Sequence, residues 1–352
     1  MFAMVYDGPG SPHRREVPDP VILESTDAVV TVDTATICGT DLHILQGDVP
    51  EVERGRTLGH EAVGTVAAVG SAVRTLRVGD RVLVSCISAC GSCASCREAR
   101  YGLCTGGGGW LLGHEIDGTH AESVRVPFAD MSTHPIPPGI SDEQMLMLAD
   151  ILPTSYEVGV RNGRVRPGDT VVIVGAGPIG LAAVITAQLY SPSRIIVIDL
   201  ADTRLAAAHE LGAEPVLNSR RDDVRARVAE LTGGRGADVA MEAVGVPETF
   251  ELAVDLVRPG GHVANIGVHG APVSLHLEKL WSRDLTITTG LVDTDSTPRL
   301  IELIRSGHLD PTPMITHRFE MGEFADAYDT FARAAETGAL KVTVTQVKAG
   351  QP

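Results

Sequence analysis

Four cysteines within fifteen residues form the most specific chemical pattern in the chain, and they follow a C-x2-C-x2-C-x7-C spacing: Cys90, Cys93, Cys96 and Cys104. Thiolates are soft ligands, and two-residue gaps let neighbouring cysteines turn back onto one ion. The spacing therefore predicts a closed tetrahedral zinc shell, which holds structure and performs no chemistry. Two disulfides or four unrelated thiols are the alternatives, but such close spacing strains most pairings.

A second group of metal-ligating residue types lies earlier in the chain. The segments are Cys38-Gly39-Thr40-Asp41-Leu42-His43 and Gly59-His60-Glu61. A thiolate, an imidazole and carboxylates are the mixed ligand set of zinc sites that keep a position for substrate. Each segment alone is equally typical of buried packing groups, so only their combination favours a catalytic metal.

A nucleotide-binding pattern begins at Thr170. The β-branched run Thr170–Val174 leads into Gly175-Ala176-Gly177-Pro178-Ile179-Gly180 and then into an alanine-rich segment that ends at Tyr190. This order predicts a strand, a tight turn and a helix whose free N–H groups meet a pyrophosphate. A second strand, Arg194–Asp199, ends in an acid 19 residues after the last glycine, where a ribose 2′-hydroxyl needs an acceptor.

Asp199 also predicts which dinucleotide binds. A carboxylate facing a 2′-phosphate would suffer like-charge repulsion of about 4 kcal/mol at ~4 Å and an effective dielectric of about 20. We therefore expect NAD in preference to NADP. The alternative is that Asp199 only caps the next helix, predicted from Ala201 to Leu211.

Composition limits the class of protein. The chain has 352 residues, of which 43% are apolar and 38 are glycine, enough for two soluble α/β domains. Its 45 acidic and 29 basic residues give a net charge of −16, which repels nucleic acid. No export leader and no apolar run of ~20 residues is evident, so we expect no membrane association. Cysteines at metal-type spacing favour a reducing, cytoplasmic location.

Strand and helix signals continue to alternate after the glycine turn, which predicts a doubly wound parallel sheet over residues 153–290. The signals fall at Asp222–Leu231, Ala237–Val244, Pro247–Val257, His262–Ile266 and Asp284–Thr289. Earlier valine-rich segments, Gly64–Val69 and Asp80–Val84, predict a small β-barrel. A helix at Phe324–Ala335 and a strand at Ala339–Val347 close the chain, so residues 1–152 and 291–352 are predicted to form one domain, with the cysteine lobe at about 86–110.

With these segments in this order, essentially the whole chain resembles the zinc-dependent medium-chain alcohol dehydrogenases. Within that family it is similar to the bacterial NAD-linked, formaldehyde-dehydrogenase-like branch, which shares Cys86-Ile87-Ser88, Gly267-Val268-His269-Gly270 and Thr288–Asp293. The resemblance implies a GroES-like β-barrel catalytic domain and a doubly wound Rossmann domain. It also implies a homo-oligomer, a tetramer or else a dimer.

The resemblance implies two zinc ions per chain, one in the four-cysteine lobe and one catalytic. The catalytic ligands would be Cys38, His60 and Asp150. Alcohol dehydrogenase commonly has a Cys2His zinc site, so this chain would have an aspartate in place of the second cysteine. Glu61 would lie beside the ion and Asp41 would orient His60. An oxygen ligand donates less charge than a thiolate, so the metal should be the stronger Lewis acid.

The implied reaction is hydride transfer from a zinc-bound alkoxide to NAD, since zinc acidifies a bound oxygen group to a pKa of about 7. Thr40 and then His43 would carry the proton to solvent. Further cofactor contacts implied by the resemblance are Thr154, Arg204, Ile266, Val292 and Lys341.

Substrate choice rests on the residues next to the cysteine lobe. Trp110, Leu111, Leu112 and the run Gly106–Gly109 would wall an apolar pocket, which favours primary aliphatic or aromatic alcohols oxidised reversibly to aldehydes. A secondary-alcohol or polyol dehydrogenase of the same fold is one alternative. A non-catalytic zinc- and dinucleotide-binding regulatory protein is the other.

Overall fold

The computed structural model describes residues 1–346 and divides the chain into two compact units. Unit 1 comprises Met1–Pro153 and the chain from Val292 onward, and unit 2 comprises Thr154–Leu291. The divisions lie one residue from the predicted boundaries. Val347, at which the predicted last strand ends, and the predicted domain end at Pro352 lie outside the described residues.

The strands of the described chain are β1 Phe2–Tyr6, β2 His13–Glu16, β3 Ala28–Thr36, β4 Arg56–Thr57, β5 Ala62–Val69, β6 Arg81–Val84, β7 Ser123–Val126, β8 Thr133–Pro135, β9 Thr170–Val174, β10 Arg194–Asp199, β11 Val216–Asn218, β12 Ala237–Glu242, β13 Val257–Asn265, β14 Thr286–Thr289, β15 Ile315–Glu320 and β16 Lys341–Thr345. The α-helices are α1 Gly39–Gln46, α2 Ala94–Arg97, α3 Ala129–Ser132, α4 Asp142–Leu146, α5 Ile151–Thr154, α6 Pro178–Ala187, α7 Asp202–Glu210, α8 Val224–Leu231, α9 Pro247–Leu256, α10 Leu277–Leu280, α11 Thr297–Arg305, α12 Phe324–Ala332 and α13 Ala334–Thr337.

Unit 1 is built on a seven-stranded sheet in the order β15-β16-β3-β5-β6-β8, with β7 also paired to β3. All its pairs are antiparallel except β15 with β16. A separate antiparallel sheet has the order β2-β1-β4. The main apolar cluster of this unit includes Val30 and Val32 of β3 and Phe324 and Tyr328 of α12.

Unit 2 is a six-stranded parallel sheet in the order β11-β10-β9-β12-β13-β14. Its strands β9 and β10 are short β-branched runs with nearly every residue buried, because helices cover a parallel sheet on both faces. Successive strands are added on one side of β9 up to β11 and on its other side from β12 onward. Such sheets bind dinucleotides at this switch point between β9 and β12. The predicted α/β class with a doubly wound sheet is confirmed.

Candidate metal centres and nucleotide site

Cys38 lies in the turn between a core strand and a helix. β3 ends at Thr36 and Cys38 is the residue that precedes α1. Its backbone N–H donates to Asp41 Oδ2 at 2.8 Å, which is the reciprocal bond of a helix capping box. Asp41 therefore fixes the turn while the buried Cys38 thiol is left to face other groups.

His60 and Asp150 reach that thiol from two other turns. His60 follows Gly59, whose φ of +91° is in the left-handed region that favours glycine, and Asp150 immediately precedes α5. Asp150 Oδ2 lies 3.5 Å from Cys38 Sγ and 3.4 Å from His60 Nε2. The structure thus brings all three predicted zinc ligands together within unit 1.

The geometry of this cluster fits a metal ion. Ligand atoms of Cys38, His60, Glu61 and Asp150 all lie within 4.8 Å of one another. Donor atoms at 2.0–2.3 Å from one tetrahedral zinc are about 3.5 Å apart, close to the distances observed. A thiol, an imidazole and carboxylates are also a donor set that zinc accepts.

Burial controls the protonation of the cluster. Burial raises the pKa of Cys38, and the Glu61 and Asp150 carboxylates raise it further. Burial lowers the pKa of His60, but its hydrogen bonds with Asp150 and Cys38 and the nearby Asp41 charge leave that pKa well above the usual value. Burial therefore disfavours the ionised form of Cys38, and a divalent cation would favour it by compensating its charge.

Glu61 is paired with Lys341 beside the cluster. Lys341 Nζ donates to Glu61 Oε2 at 2.5 Å and to the carbonyl oxygen of Ile37 at 3.1 Å, and both charged side chains are 1% exposed. Burial raises the pKa of Glu61 to about 7, against the lowering effect of Lys341. Glu61 Oε1 is buried without a hydrogen-bond partner, so one carboxylate oxygen stays free beside the ligands.

Asp41 contacts His60 less directly than predicted. Its Oδ1 lies 3.9 Å from His60 Nδ1, which is too long for a hydrogen bond, and that nitrogen is buried without a partner. Asp41 Oδ1 instead accepts the Gly59 N–H at 3.2 Å. Asp41 therefore fixes the backbone next to both Cys38 and His60.

The two predicted proton-relay residues lie on α1. Thr40 Oγ1 is 3.7 Å from Cys38 Sγ. His43 Nδ1 is 2.8 Å from Asp48 Oδ2, and its side chain is 31% exposed. Thr40 is thus next to the ligand cluster, and His43 has access to solvent and to a carboxylate.

The four-cysteine lobe forms a second candidate metal centre. Sulfur–sulfur distances are 3.9 Å for Cys90–Cys96 and for Cys93–Cys104, far longer than a disulfide bond of about 2.05 Å, and all six cysteines are free. The predicted alternative of two disulfides is therefore absent from the structure, and the four sulfurs form one group of candidate ligands.

Hydrogen bonds and glycines shape the lobe around the sulfurs. The Ser92 hydroxyl and backbone N–H lower the pKa of Cys90 to about 7, and the backbone N–H of Cys96 lowers that of Cys93 to about 5. A Cβ on Gly106 would lie 2.5 Å from Cys90 Sγ, and one on Gly108 would lie 2.9 Å from Cys104 Sγ. These glycines therefore pack against the sulfurs, which corrects the prediction that the whole glycine run lines a substrate pocket.

One further residue of the predicted pocket wall, Leu112, lies in the core of unit 1. Leu112 is fully buried and belongs to the apolar cluster of unit 1, so it does not line a pocket. Trp110 has its ring centroid 6.2 Å from that of His60 in an edge-on arrangement and stacks on His114 at 4.2 Å. Trp110 therefore lies beside His60, a candidate metal ligand.

The glycine turn in unit 2 fits a dinucleotide. Gly175 has a φ of +104°, and a Cβ on Gly180 would lie 1.9 Å from the Gly175 carbonyl oxygen, so both positions require glycine. A Cβ on Gly177 would meet nothing within 4 Å, which leaves the backbone open to a ligand. Pro178 and Ile179 begin the ten-residue α6, whose N-terminal N–H groups suit a pyrophosphate.

Asp199 joins this turn to the end of β10. Its Oδ2 accepts the Ala176 N–H at 2.7 Å, and its Oδ1 accepts the N–H groups of Leu200 at 2.7 Å and Ala201 at 2.9 Å. Leu200 and Ala201 both precede α7, which begins at Asp202, so these bonds order the turn before the helix and Asp199 bonds no N–H group within it. Its predicted contact with a ribose stays a prediction.

The other predicted cofactor contacts are divided between the units. Thr154, Arg204 and Ile266 belong to unit 2, whereas Val292 and Lys341 belong to unit 1. Arg204 Nε is shielded from solvent without a hydrogen-bond partner. The contacts described for Lys341 Nζ are those with Glu61 and Ile37, so its pyrophosphate role stays a prediction, as do the roles of the other four.

Sequence reasoning missed two groups close to the ligands. It did not pair Lys341 with Glu61, which are 280 positions apart, and it did not select His120, which bonds Tyr328 across 208 positions. A charged residue within a strand of apolar neighbours was the one available signal for Lys341. No spacing or local motif marks His120.

Two family models match the chain. Residues 24–138 match the family described as alcohol dehydrogenase GroES-like domain, and residues 178–306 match the zinc-binding dehydrogenase family, which confirms the predicted GroES-like domain. No helix in the described chain has the length and apolar character needed to cross a membrane.

Three similar proteins cover nearly the whole chain. An alcohol dehydrogenase from Cupriavidus necator is 39% identical over 98% of both chains. A sorbitol dehydrogenase from Bacillus subtilis is 32% identical over 93% of this chain and 92% of its own. The solved apo structure of zinc dependent alcohol dehydrogenase 2 from Streptococcus pneumonia is 44% identical over 100% of both chains, with a TM-score of 0.95.

Proposed function

Because the chain belongs to the zinc-type medium-chain alcohol dehydrogenase family, we propose that it is a zinc- and NAD-dependent enzyme that reversibly oxidises primary alcohols to aldehydes. The observation that carries the proposal is the buried cluster of Cys38, His60, Glu61 and Asp150, whose ligand atoms lie within 4.8 Å of one another. Enzymes that share one fold catalyse several different reactions, so the proposed activity depends on the residues of the site and not on the fold alone.

Two zinc ions per chain follow from the two ligand groups. Cys38, His60 and Asp150 would hold the catalytic ion, and the four lobe cysteines would hold the structural one. A bound zinc ion supplies Lewis acidity, which lowers the pKa of an alcohol hydroxyl. Asp150 donates less charge than a thiolate would, and so strengthens that acidity.

The chain's own residues would move the proton outward. Thr40, 3.7 Å from the Cys38 sulfur, provides a hydroxyl beside the ligands. The Asp48 carboxylate can only accept a hydrogen bond, so neutral His43 carries its hydrogen on Nδ1 and leaves Nε2 free to accept a proton. We assign His43 the role of the group that transfers the proton to solvent.

Asp199 supports NAD as the cofactor. Its carboxylate is fixed by three backbone N–H groups at the end of β10, where dinucleotide-binding sheets place the acid that binds the ribose. A 2′-phosphate at ~4 Å would be disfavoured by about 4 kcal/mol at an effective dielectric of about 20. Gly177 leaves the backbone accessible to the pyrophosphate, and Gly175 and Gly180 permit the tight turn that precedes α6.

Trp110 supports a substrate with a small apolar body. Its ring lies roughly perpendicular to that of His60, with 6.2 Å between the centroids. An aromatic wall next to a metal favours aliphatic or aromatic primary alcohols. A polyol or secondary-alcohol dehydrogenase is the second candidate, favoured by the similarity to a sorbitol dehydrogenase. A non-catalytic binding protein is less consistent with the chain, because Cys38, His60 and Asp150 are all present and adjacent.

We also propose that the chain works as a homo-oligomer, a tetramer by the resemblance to bacterial relatives, in the cytoplasm. The six free cysteines support a reducing compartment. Light scattering on the purified protein measures the assembly, and a monomer at assay concentration would contradict it.

A kinetic panel tests the proposed reaction. Purified zinc-loaded protein is assayed with NAD and with benzyl alcohol, 2-propanol or sorbitol, and the metal-free protein serves as control. We expect kcat/KM for benzyl alcohol to exceed the other two by about tenfold or more, which corresponds to about 1.4 kcal/mol. A preference for sorbitol would move the protein to the polyol class, and no turnover of any alcohol would contradict an enzyme of this type.

A further inference from the structure

A buried chain of hydrogen bonds runs through His120, which is 0% exposed. His120 Nε2 lies 3.1 Å from the carbonyl oxygen of Thr36, and Nδ1 lies 2.7 Å from the Tyr328 hydroxyl. Because a carbonyl oxygen only accepts, Nε2 carries the hydrogen, and Nδ1 accepts from the Tyr328 O–H. Burial lowers the pKa of His120 and raises that of Tyr328 well above its usual value, so both groups stay neutral.

The imidazole of His120 touches the backbone next to two metal-ligand candidates. Thr36, whose carbonyl it binds, is two residues before Cys38. A Cβ on Gly59 would lie 2.3 Å from His120 Cδ2, so the ring lies flat against the residue that precedes His60. The ring therefore spans the gap between the segments that present the thiol and the imidazole of the cluster.

Tyr328 and its helix hold that ring in place. Tyr328 is 3% exposed on α12, and Phe324, one turn earlier, packs on the His120 ring with a centroid distance of 4.7 Å. Rotation of the imidazole would break the Tyr328 bond and leave buried polar atoms without partners. A helix near the end of the chain thus controls a contact near the ligand cluster.

We propose that His120 and Tyr328 are positioning residues for the metal centre, which fix the spacing between Cys38 and His60 through the backbone of Thr36 and Gly59. This inference rests on the proposed function, because it requires a metal held by these ligands. Neither residue is offered as a ligand or as a catalytic group. Their effect is on how tightly and in what geometry the metal binds.

The test substitutes Tyr328→Phe and measures metal binding. Loss of partners that orient ligands typically weakens metal affinity 10–100-fold, so we expect the dissociation constant at the Cys38 centre to rise by about that factor in competition with a chelator. In the cobalt-substituted protein, the thiolate-to-metal charge-transfer and d–d bands should shift. Metal affinity of the four-cysteine lobe should not change, which provides an internal control for folding.

Two further comparisons separate positioning from a general loss of packing. Tyr190→Phe removes another tyrosine hydroxyl, which bonds the Tyr156 hydroxyl at 3.0 Å in unit 2, and should leave both metal affinities unchanged. His120→Gln keeps an N–H donor and an oxygen acceptor, so it should bind metal more tightly than His120→Leu. This pair also decides the question if Tyr328→Phe does not fold.

The outcomes distinguish the inference from the function on which it rests. Wild-type affinity and an unshifted cobalt spectrum in Tyr328→Phe or, if that variant does not fold, in His120→Leu would overturn the positioning role. A wild-type protein that binds no metal at the Cys38 centre would instead overturn the proposed function.

Discussion

Replacing Lys341 with methionine should leave Glu61 as an unpaired buried carboxylate. In the native protein, the Lys341 ammonium lies 2.5 Å from Glu61 Oε2, and both side chains are almost completely buried. Removal of one partner of a buried ion pair costs about 3–5 kcal/mol, because the other charge stays in a medium of low dielectric. This is a large share of a total stability of about 5–15 kcal/mol.

The loss should depend on pH. Burial raises the pKa of Glu61 from 4.5 to about 7, so the folded state holds this proton more tightly than the unfolded state does. Stability from this group is therefore present at pH below 4.5 and is lost as the pH rises through the folded-state pKa. Lys341 lowers that pKa, so its removal should raise the pKa further and make the loss greatest at alkaline pH.

Urea denaturation of the metal-free protein, followed by tryptophan fluorescence at acidic and alkaline pH, measures this effect. Arg318→Met is the control, because it removes an exposed ion pair with Glu143 and should cost about 0–1 kcal/mol. The double variant Glu61→Gln/Lys341→Met should recover most of the lost stability. If Lys341→Met cost no more than Arg318→Met at alkaline pH, the reasoning about the buried pair would be wrong.

Three other predictions concern the cofactor, the lobe and the relay. Asp199→Gly should remove the penalty of about 4 kcal/mol against NADP. It should also weaken NAD binding, because three backbone N–H groups lose their acceptor. Fluorescence titration with both cofactors measures this, and an unchanged preference for NAD would refute it. Cys93→Ser should lower the metal content from two ions to about one per chain, and a retained second ion would contradict the four-cysteine centre. His43→Ala should alter the pH dependence of alcohol oxidation; an identical profile would remove His43 from the relay.

Much of unit 2 could be predicted from the sequence because its signals are local. Thr170–Val174 and Arg194–Asp199 have the predicted bounds, since each is a continuous β-branched run ended by a turn signal. β13 was predicted from His262 but begins at Val257. The strand also includes Pro259, Gly260 and Gly261, and its register beside β12 is irregular there.

The predicted ligands of both metal centres meet in the structure. The four lobe cysteines follow from their spacing, whereas the set of Cys38, His60 and Asp150 follows from the resemblance to the family. The surroundings of those ligands depend on contacts between distant segments and carry no local signal. The first four residues of β16 are buried, and Lys341 meets Glu61 inside unit 1. His120 likewise depends on Tyr328, which sequence spacing cannot locate.

The residues that line the substrate pocket are also difficult to predict from the sequence. A glycine run and two leucines beside Trp110 are consistent with a pocket, yet Gly106 and Gly108 pack on sulfur atoms and Leu112 packs in the core. Side-chain type alone does not say which face a short loop presents. The distance between the Trp110 and His60 rings shows that Trp110 lies next to a candidate ligand.

The central claim is that a metal ion held by Cys38, His60 and Asp150 makes this protein an NAD-dependent alcohol dehydrogenase. The most direct measurement titrates metal-free protein with Zn²⁺, while NADH formation from benzyl alcohol and occupancy of each centre are followed together. NADH formation should rise only as the Cys38 centre fills, and Asp150→Ala should keep the lobe metal but produce no NADH. Normal NADH formation by protein whose Cys38 centre holds no metal would contradict the claim.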